Sequence, residues 1–219
     1  MISPTSVDAG RAARLREATS VEHRDTETRG FITRLMGGEL DMEAYTRYLA
    51  QYAYVYRALE ARATQAGDPD FMADPALPRL AAIESDLAHL GAADWEATHP
   101  ALPATQAYVD HLASLDDSDV PRCLAHQYTR YLGDLSGGQA IAKLVARHYG
   151  ATEEQLAFYR FDLIDSPVRF KRAYREELDQ LDFSEAQEAA LIAEAKAAFG
   201  FNAAIFEALG EQVPAPVAS

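Results

Sequence analysis

Apolar residues recur every three or four positions along almost the whole chain, and this period limits the possible folds more than any other feature of the sequence. No segment shows the strict alternation of apolar and polar residues that a half-buried strand requires. We therefore predict an all-α protein. The clearest apolar stripe belongs to a predicted helix over residues 42–65 and is interpreted as core packing; its members are Tyr45, Tyr48, Leu49, Tyr52, Tyr56 and Leu59.

Other helices are predicted from the same spacing. The first covers residues 8–29, and a long one covers residues 120–149. Further starts are marked by a proline suited to a first helical turn or by a capping box; they lie at Pro78, at Pro103 with a helix through 115, at Thr152 with Gln155, and at Ser184 with Gln187.

The length of 219 residues, 48% of them hydrophobic, suits one compact domain. We assign residues 1–211 to it and residues 212–219 to a short flexible tail. Cys123 is the single cysteine, so no internal disulfide can form, and this predicts a reducing, cytoplasmic location. We find no signal peptide and no segment as apolar as a membrane span, and we expect a soluble protein.

The net charge of −14 argues against nucleic acid as a partner, because binding to its backbone depends on lysine and arginine. Two segments are nevertheless locally basic, residues 122–147 and residues 160–175. A basic area on an acidic protein suggests a small anionic ligand or an acidic docking partner.

Three glycines interrupt the predicted helix over 120–149: Gly133, Gly137 and Gly138. Each glycine inside a helix costs about 0.8–1 kcal/mol relative to alanine, so something must compensate. A close helix crossing or a kink is one explanation. The other is that bare backbone on the face shared by Gly133 and Gly137 lets a flat, rigid molecule approach the helix.

One histidine differs from the rest. His23 has Glu27 one helical turn later and Arg16 two turns earlier, and a carboxylate at this spacing can contact a metal-bound imidazole. Two turns span about 10.5 Å, comparable to the distance between a haem iron and its propionates. His111 and His148 are interpreted as ordinary helix residues, and Glu96 with His99 as part of a loop.

Residues 128–139, with the sequence YTRYLGDLSGGQ, closely resemble the distal helix of haem oxygenases. The run 15–19 followed by His23 and Glu27 resembles their proximal helix. The resemblance continues through residues 170–175 and 199–202 to Phe206. It implies a single-domain, multi-helix haem oxygenase-like bundle that holds haem between a proximal helix and a kinked distal helix.

The resemblance also implies a role for each matching residue. His23 is the expected iron ligand, with Glu27 beside it. Asp134 is expected to hold a water that supplies a proton to bound oxygen, supported by Arg130 and Tyr52. The other expected haem contacts are the distal backbone at Gly133 and Gly137, the bend at Gly138, the propionate partners Arg16, Tyr128, Lys171 and Arg175, and Phe199 at the pocket.

The implied reaction is oxidative cleavage of haem b, which is both substrate and cofactor, to biliverdin, carbon monoxide and ferrous iron. Arg16 departs from the lysine often found there in the family but keeps the positive charge. We therefore expect cleavage at the α-meso carbon. The chain has no flavin or nicotinamide motif, so a ferredoxin or an NAD(P)H-dependent reductase must supply electrons, with Arg122, Lys143, Arg147 and Arg172 as candidate docking residues.

Two other functions stay open at this point. A haem-binding protein for storage or sensing would need the same pocket but would not degrade its ligand. A hydrolase related to thiaminases would need a cysteine nucleophile or a pair of carboxylates in the pocket; Cys123 lies about two and a half turns before Gly133, and no matching acid is evident.

Overall fold

The computed structural model describes residues 9–213, and in this range it contains helices and loops but no strand. The all-α prediction is confirmed. The α-helices are α1 (Arg11–Ala18), α2 (Ser20–Glu27), α3 (Gly30–Gly37), α4 (Met42–Glu60), α5 (Leu80–His89), α6 (Trp95–Thr98), α7 (Pro103–Ser114), α8 (Val120–Gln127), α9 (Gly133–Tyr149), α10 (Pro167–Gln180) and α11 (Glu185–Glu211).

Helix α11 is the central helix of the bundle and packs against α2, α3, α7 and α8. It begins at the predicted capping box, in which the Ser184 hydroxyl accepts from the Gln187 N–H and the Gln187 side chain accepts in return. By length and composition α11 could span a membrane, so the expectation that no segment qualifies was wrong. Its fully buried residues, including Leu191 and Ile205, show that it is a core helix of this fold.

The predicted first helix is divided at Thr19 into α1 and α2. The Thr19 hydroxyl donates to the Leu15 carbonyl at 2.9 Å, a back-bond that often bends helices. Backbone hydrogen bonds continue on both sides of the division, from Thr19 to Leu15 and from His23 to Thr19. The predicted start at residue 8 lies outside the described residues, and so do residues 214–219 of the predicted tail.

The long helix predicted over 120–149 is confirmed as one helical segment, but its middle is not α-helical. A π-helical turn, Tyr128–Leu132, joins α8 to α9. Such turns occur mostly as single bulges within α-helices and frequently at functional sites. This irregular turn precedes all three glycines, and the bend expected at Gly138 stays a prediction.

Helix α4 begins after Asp41, whose carboxylate accepts from the Ala44 N–H at 2.9 Å. It ends at Glu60, five residues before the predicted end. Every member of its predicted apolar stripe is buried, which confirms that the stripe packs in the core.

Helix α5 begins at Leu80 rather than at Pro78. The carboxylate of Glu60 accepts from the backbone N–H groups of Arg79 at 2.6 Å and of Leu80 at 3.2 Å. A side chain from α4 therefore satisfies the first backbone N–H groups of α5. The sequence around residue 80 could not indicate this, because Glu60 belongs to another helix.

Among the other predicted helix starts, some are confirmed and others are not. Pro103 opens α7 as predicted. The capping box of Thr152 with Gln155 exists, but it starts only the 3-10 turn Glu153–Gln155. Helix α10 instead starts at Pro167, behind a Ser166 cap that the sequence analysis did not identify.

Candidate functional site

A cleft of about 800 Å³ opens between α1 and α2 on one side and the π-helical turn with α9 on the other. This volume lies within the usual range for sites that bind small molecules or cofactors. Helices α10 and α11 each contribute one wall residue. The lining comprises Ala13, Arg16, Glu17, Thr19, Ser20, His23, Arg24, Tyr128, Thr129, Leu132, Gly133, Ser136, Arg175 and Phe199.

His23 lies on α2 and presents its ring to this cleft, with half of its side chain exposed. Its Nδ1 is 3.4 Å from a carboxylate oxygen of Glu27, the contact expected from their spacing. Glu27 itself does not line the cleft. The edge of the Phe199 ring packs against the imidazole, at 5.5 Å between ring centroids. The imidazole therefore has one nitrogen beside a carboxylate and a ring orientation fixed by packing.

Positive charge lines one part of the cleft, where Arg16 on α1 and Arg175 on α10 stand near Tyr128. Burial raises the pKa of the Tyr128 phenol, while the two guanidinium groups oppose the rise. Arginine binds carboxylates with two parallel hydrogen bonds, so this group of side chains suits an anionic ligand.

Lys171 does not line the cleft, contrary to its assigned role as a direct ligand contact. Its Nζ donates to the Ser136 hydroxyl at 3.0 Å and to the Leu135 carbonyl at 3.3 Å. These bonds tie α10 to α9. Because Ser136 is a lining residue, the ammonium group lies just behind the cleft wall.

The three glycines differ in their surroundings. Gly133 lines the cleft, and a Cβ placed on Gly133 or Gly137 would meet no atom within 4 Å. A Cβ on Gly138 would lie 2.9 Å from Cδ1 of Tyr159, whose ring is buried. Gly138 therefore permits close packing against Tyr159, a packing role that the sequence analysis did not assign to it.

We expect Gly138→Ala to unfold at lower denaturant concentration than Gly137→Ala. Both changes gain the same helix propensity, about 0.8–1 kcal/mol, but only the first forces a methyl group into a buried ring, at a cost of about 1–3 kcal/mol. Urea denaturation of the two haem-free variants measures the difference. Equal midpoints would contradict the packing role of Gly138.

Asp134 is held in a buried polar network behind the cleft. Its carboxylate accepts from the Tyr56 hydroxyl and lies 3.8 Å from the Arg130 guanidinium. Burial raises the pKa of Asp134 to about 6, although Arg130 and the Tyr56 hydrogen bond oppose the rise. A carboxyl group with a pKa near neutrality is suited to proton transfer.

Arg130 connects this carboxylate to α11. Its Nη1 donates to the Asn202 side-chain oxygen at 2.9 Å, and the Tyr52 hydroxyl donates to the same oxygen at 2.8 Å. The guanidinium carbon also lies 4.2 Å from the centre of the Tyr52 ring. The predicted grouping of Arg130, Tyr52 and Asp134 is thus present in the structure.

Sequence reasoning missed Tyr56 and Asn202 as members of the network. Tyr56 has the same helical spacing as the core tyrosines, so nothing local marked it as different. Its position one turn after Tyr52 was the only available signal. Asn202 lies in the matching segment 199–202 but received no role.

The arrangement fits haem on three counts. An imidazole is available as an iron ligand on one wall, arginines suited to propionates line the cleft, and the opposite wall carries a glycine without a side chain. Within the described residues, Cys123 does not line the cleft. The hydrolase hypothesis therefore lacks its cysteine nucleophile in the site.

Comparison with known proteins decides the family. A family model described as "Heme oxygenase" matches residues 10–208. The chain belongs to the haem oxygenase family. Heme oxygenase 1 of Gallus gallus is 35% identical over 205 residues, covering 91% of this chain and 69% of the relative. Heme oxygenase 1 of a Nostoc species is 33% identical over 202 residues, covering 90% and 85%.

Solved haem oxygenase structures have the same fold. The haem complex of heme oxygenase-1 from Synechocystis superposes with a TM-score of 0.86 at 31% identity, covering 93% of this chain and 94% of the other. The enzyme from Leptospira interrogans gives 0.84 at 34% identity, covering 90% and 98%. The predicted haem oxygenase-like bundle is confirmed.

Membership of this family makes the chain a haem-degrading oxidoreductase that binds haem. The enzyme hypothesis is thereby confirmed over the storage or sensor hypothesis.

Proposed function

We propose that this haem oxygenase cleaves haem b at the α-meso carbon and releases biliverdin, carbon monoxide and ferrous iron. One observation carries the proposal: the cleft has an imidazole on one wall and, on the other, a glycine face backed by a buried carboxylate network. The cleft wall opposite His23 carries no histidine among the described lining residues. The edge of the haem ring is then the nearest group that can be oxidised.

Each wall of the cleft has a separate task. Haem supplies the iron that activates O2 and the macrocycle that is oxidised. His23 would supply an imidazole nitrogen to the iron, and Glu27 would orient the ring through Nδ1. Arg16, Tyr128 and Arg175 hold the propionates and so set the rotation of the ring, with Lys171 adding charge behind the wall. Phe199 packs beside the ligand.

The distal residues control space and protons. Gly133 and Gly137 would leave space beside a bound haem, because neither carries a side chain. The Asp134 carboxylate would hold a proton-donating water on this side of the cleft, and the Tyr56 hydroxyl and Arg130 hold that carboxylate in place. Protons would then be supplied from this side alone.

Electrons come from a separate protein, a ferredoxin or an NAD(P)H-dependent reductase, in the cytoplasm. Among the candidate docking residues, Lys143 and Arg147 are exposed on α9 and Arg172 on α10. Arg122 lies 3.6 Å from Asp119 and has a partner within its own helix cap. Arg172 likewise lies 3.6 Å from Glu176 on its own helix, so the α9 cations Lys143 and Arg147 are the better candidates for an acidic donor.

Haemin, a chemical reductant and catalase test this function directly. We expect the Soret band of the complex to disappear while a biliverdin band grows, and chromatography to identify the α isomer. A Soret band that persists under O2 would support haem storage and contradict the enzyme. A different biliverdin isomer would contradict cleavage at the α-meso carbon but not the haem oxygenase activity.

We expect biliverdin formation to slow as the pH falls through about 6. The pKa of Asp134 is raised to about 6, so its carboxylate is ionised at neutral pH and becomes protonated below that value. A neutral carboxyl holds the donating water less well. Initial rates measured from pH 5 to 8 should fall at low pH in the parent protein but not in Asp134→Asn. The same fall in the variant would show that a different group titrates.

A further inference from the structure

Three potential metal ligands meet outside the haem cleft. His111 on α7, His126 on α8 and Glu194 on α11 place two imidazole nitrogens and one carboxylate oxygen within 4.8 Å of one another. Nε2 of His126 lies 2.8 Å from Oε1 of Glu194, and Nε2 of His111 contacts the same oxygen. The haem function uses none of these three side chains.

The backbones that carry these side chains are fixed by packing. Helix α11 packs against both α7 and α8. His126 is fully buried, Glu194 is nearly so, and His111 is partly exposed. A metal ion could therefore enter beside His111, which leaves one coordination position open toward solvent.

His126 is also oriented from behind. The Tyr108 hydroxyl lies 3.0 Å from its Nδ1, so Nε2 is directed at the carboxylate. Metal-bound histidines almost always have such a partner on their other nitrogen, and a hydroxyl can act there as donor or acceptor. Phe201 stacks on Tyr108 with centroids 4.9 Å apart and also packs on His111.

We propose that His111, His126 and Glu194 form a binding site for a divalent transition metal, with Zn²⁺ the best match. Two imidazoles and one carboxylate are a ligand set that Zn²⁺ accepts with a fourth open position. With bonds of about 2.0–2.1 Å, tetrahedral ligands stand roughly 3.3 Å apart, so His126 and Glu194 need to separate by only about half an ångström.

The charges around the cluster are compatible with a cation. The carboxylate of Glu194 supplies the negative charge, and its Oε1 contacts both imidazoles. Arg122 is the nearby cation, at 3.9 Å from Oε2 of Glu194, and it also lies 3.6 Å from Asp119. Oε1, which faces both imidazoles, is the oxygen available to the metal.

The site would join α7 to two helices, α8 and α11, that lead into the haem cleft. His126 lies two residues before Tyr128, which lines the cleft, and α11 carries both Glu194 and Phe199. Metal binding would cross-link α7, α8 and α11 without contacting the haem.

Tag-free, haem-loaded protein provides the test, because haem occupies His23. Equilibrium dialysis against Zn²⁺ should give one retained zinc per chain, and zinc-edge X-ray absorption should show two imidazole ligands. His111→Ala should weaken binding at least about 100-fold, and Tyr108→Phe, which removes an outer partner, about 10-fold. His89→Ala, at the exposed end of α5, is the matched control and should bind as the parent does.

Two results would overturn the proposal. One is a parent protein that retains no zinc or whose absorption spectrum lacks two imidazoles, whatever the variants do. The other is zinc affinity unchanged by His111→Ala in protein with the parent's haem content and helicity. In either case the cluster is only a hydrogen-bonded pair of histidines around one carboxylate.

Discussion

His23→Ala is expected to bind haem weakly and to lose turnover by about 100-fold or more, equivalent to about 2.7 kcal/mol of activation free energy. The cleft keeps the rest of its lining, including Phe199, Arg16 and Arg175, so ligand burial and the propionate contacts survive. What the variant lacks is the imidazole proposed to bind the iron. Biliverdin yield and haem titration, measured side by side, separate the two effects.

Free imidazole is the decisive addition to this experiment. It can enter the space vacated by the side chain and should restore a substantial part of the turnover. His89→Ala should behave like the parent with and without imidazole. Parent-level turnover of His23→Ala in the absence of imidazole would show that another residue binds the iron.

The helical fold was predictable because the apolar period is local and repeats along the chain. Helix ends were less predictable, because distant groups set several of them. Glu60 caps α5 from another helix, and the Thr152 capping box produces only one turn. The division at Thr19 depends on a hydroxyl that forms a back-bond, a choice that composition does not reveal.

The cleft was predictable where one helix carries several of its residues. Arg16 and His23 follow one another along α1 and α2, and both line the cleft. The packing of Gly138 against Tyr159 was not predictable, since successive helix residues point about 100° apart and neighbouring glycines face different surroundings. Tyr56 is 78 positions from Asp134, and no local pattern predicts that contact.

The same limit explains the cluster of His111, His126 and Glu194. His111 was interpreted as an ordinary helix residue, because its own helix offers no partner at ligand spacing. Its partners come from α8 and α11, and the pairing of α7 and α8 with α11 brings them together. Sites assembled from separate helices need the packed structure before they can be identified.

Asp134→Ala is expected to leave haem affinity nearly unchanged while biliverdin formation falls by about 10²-fold or more, the usual contribution of a positioned acid or base. The carboxylate contacts Tyr56 and Arg130 rather than the cleft lining, so haem binding does not depend on it. What the variant loses is the ordered proton donor. Single-turnover formation of biliverdin, with haem affinity measured separately, distinguishes the two outcomes.

Two further variants test the role of the Asp134 charge and the specificity of its loss. Asp134→Asn can still hold a water but carries no charge, so it should keep partial activity. Asp110→Ala, an exposed aspartate on α7, changes the same side chain away from the cleft and should act as the parent does. If Asp134→Ala formed biliverdin at the parent rate, Tyr56, Arg130 and Asn202 would be structural residues, because the carboxylate that they position would have no part in the reaction.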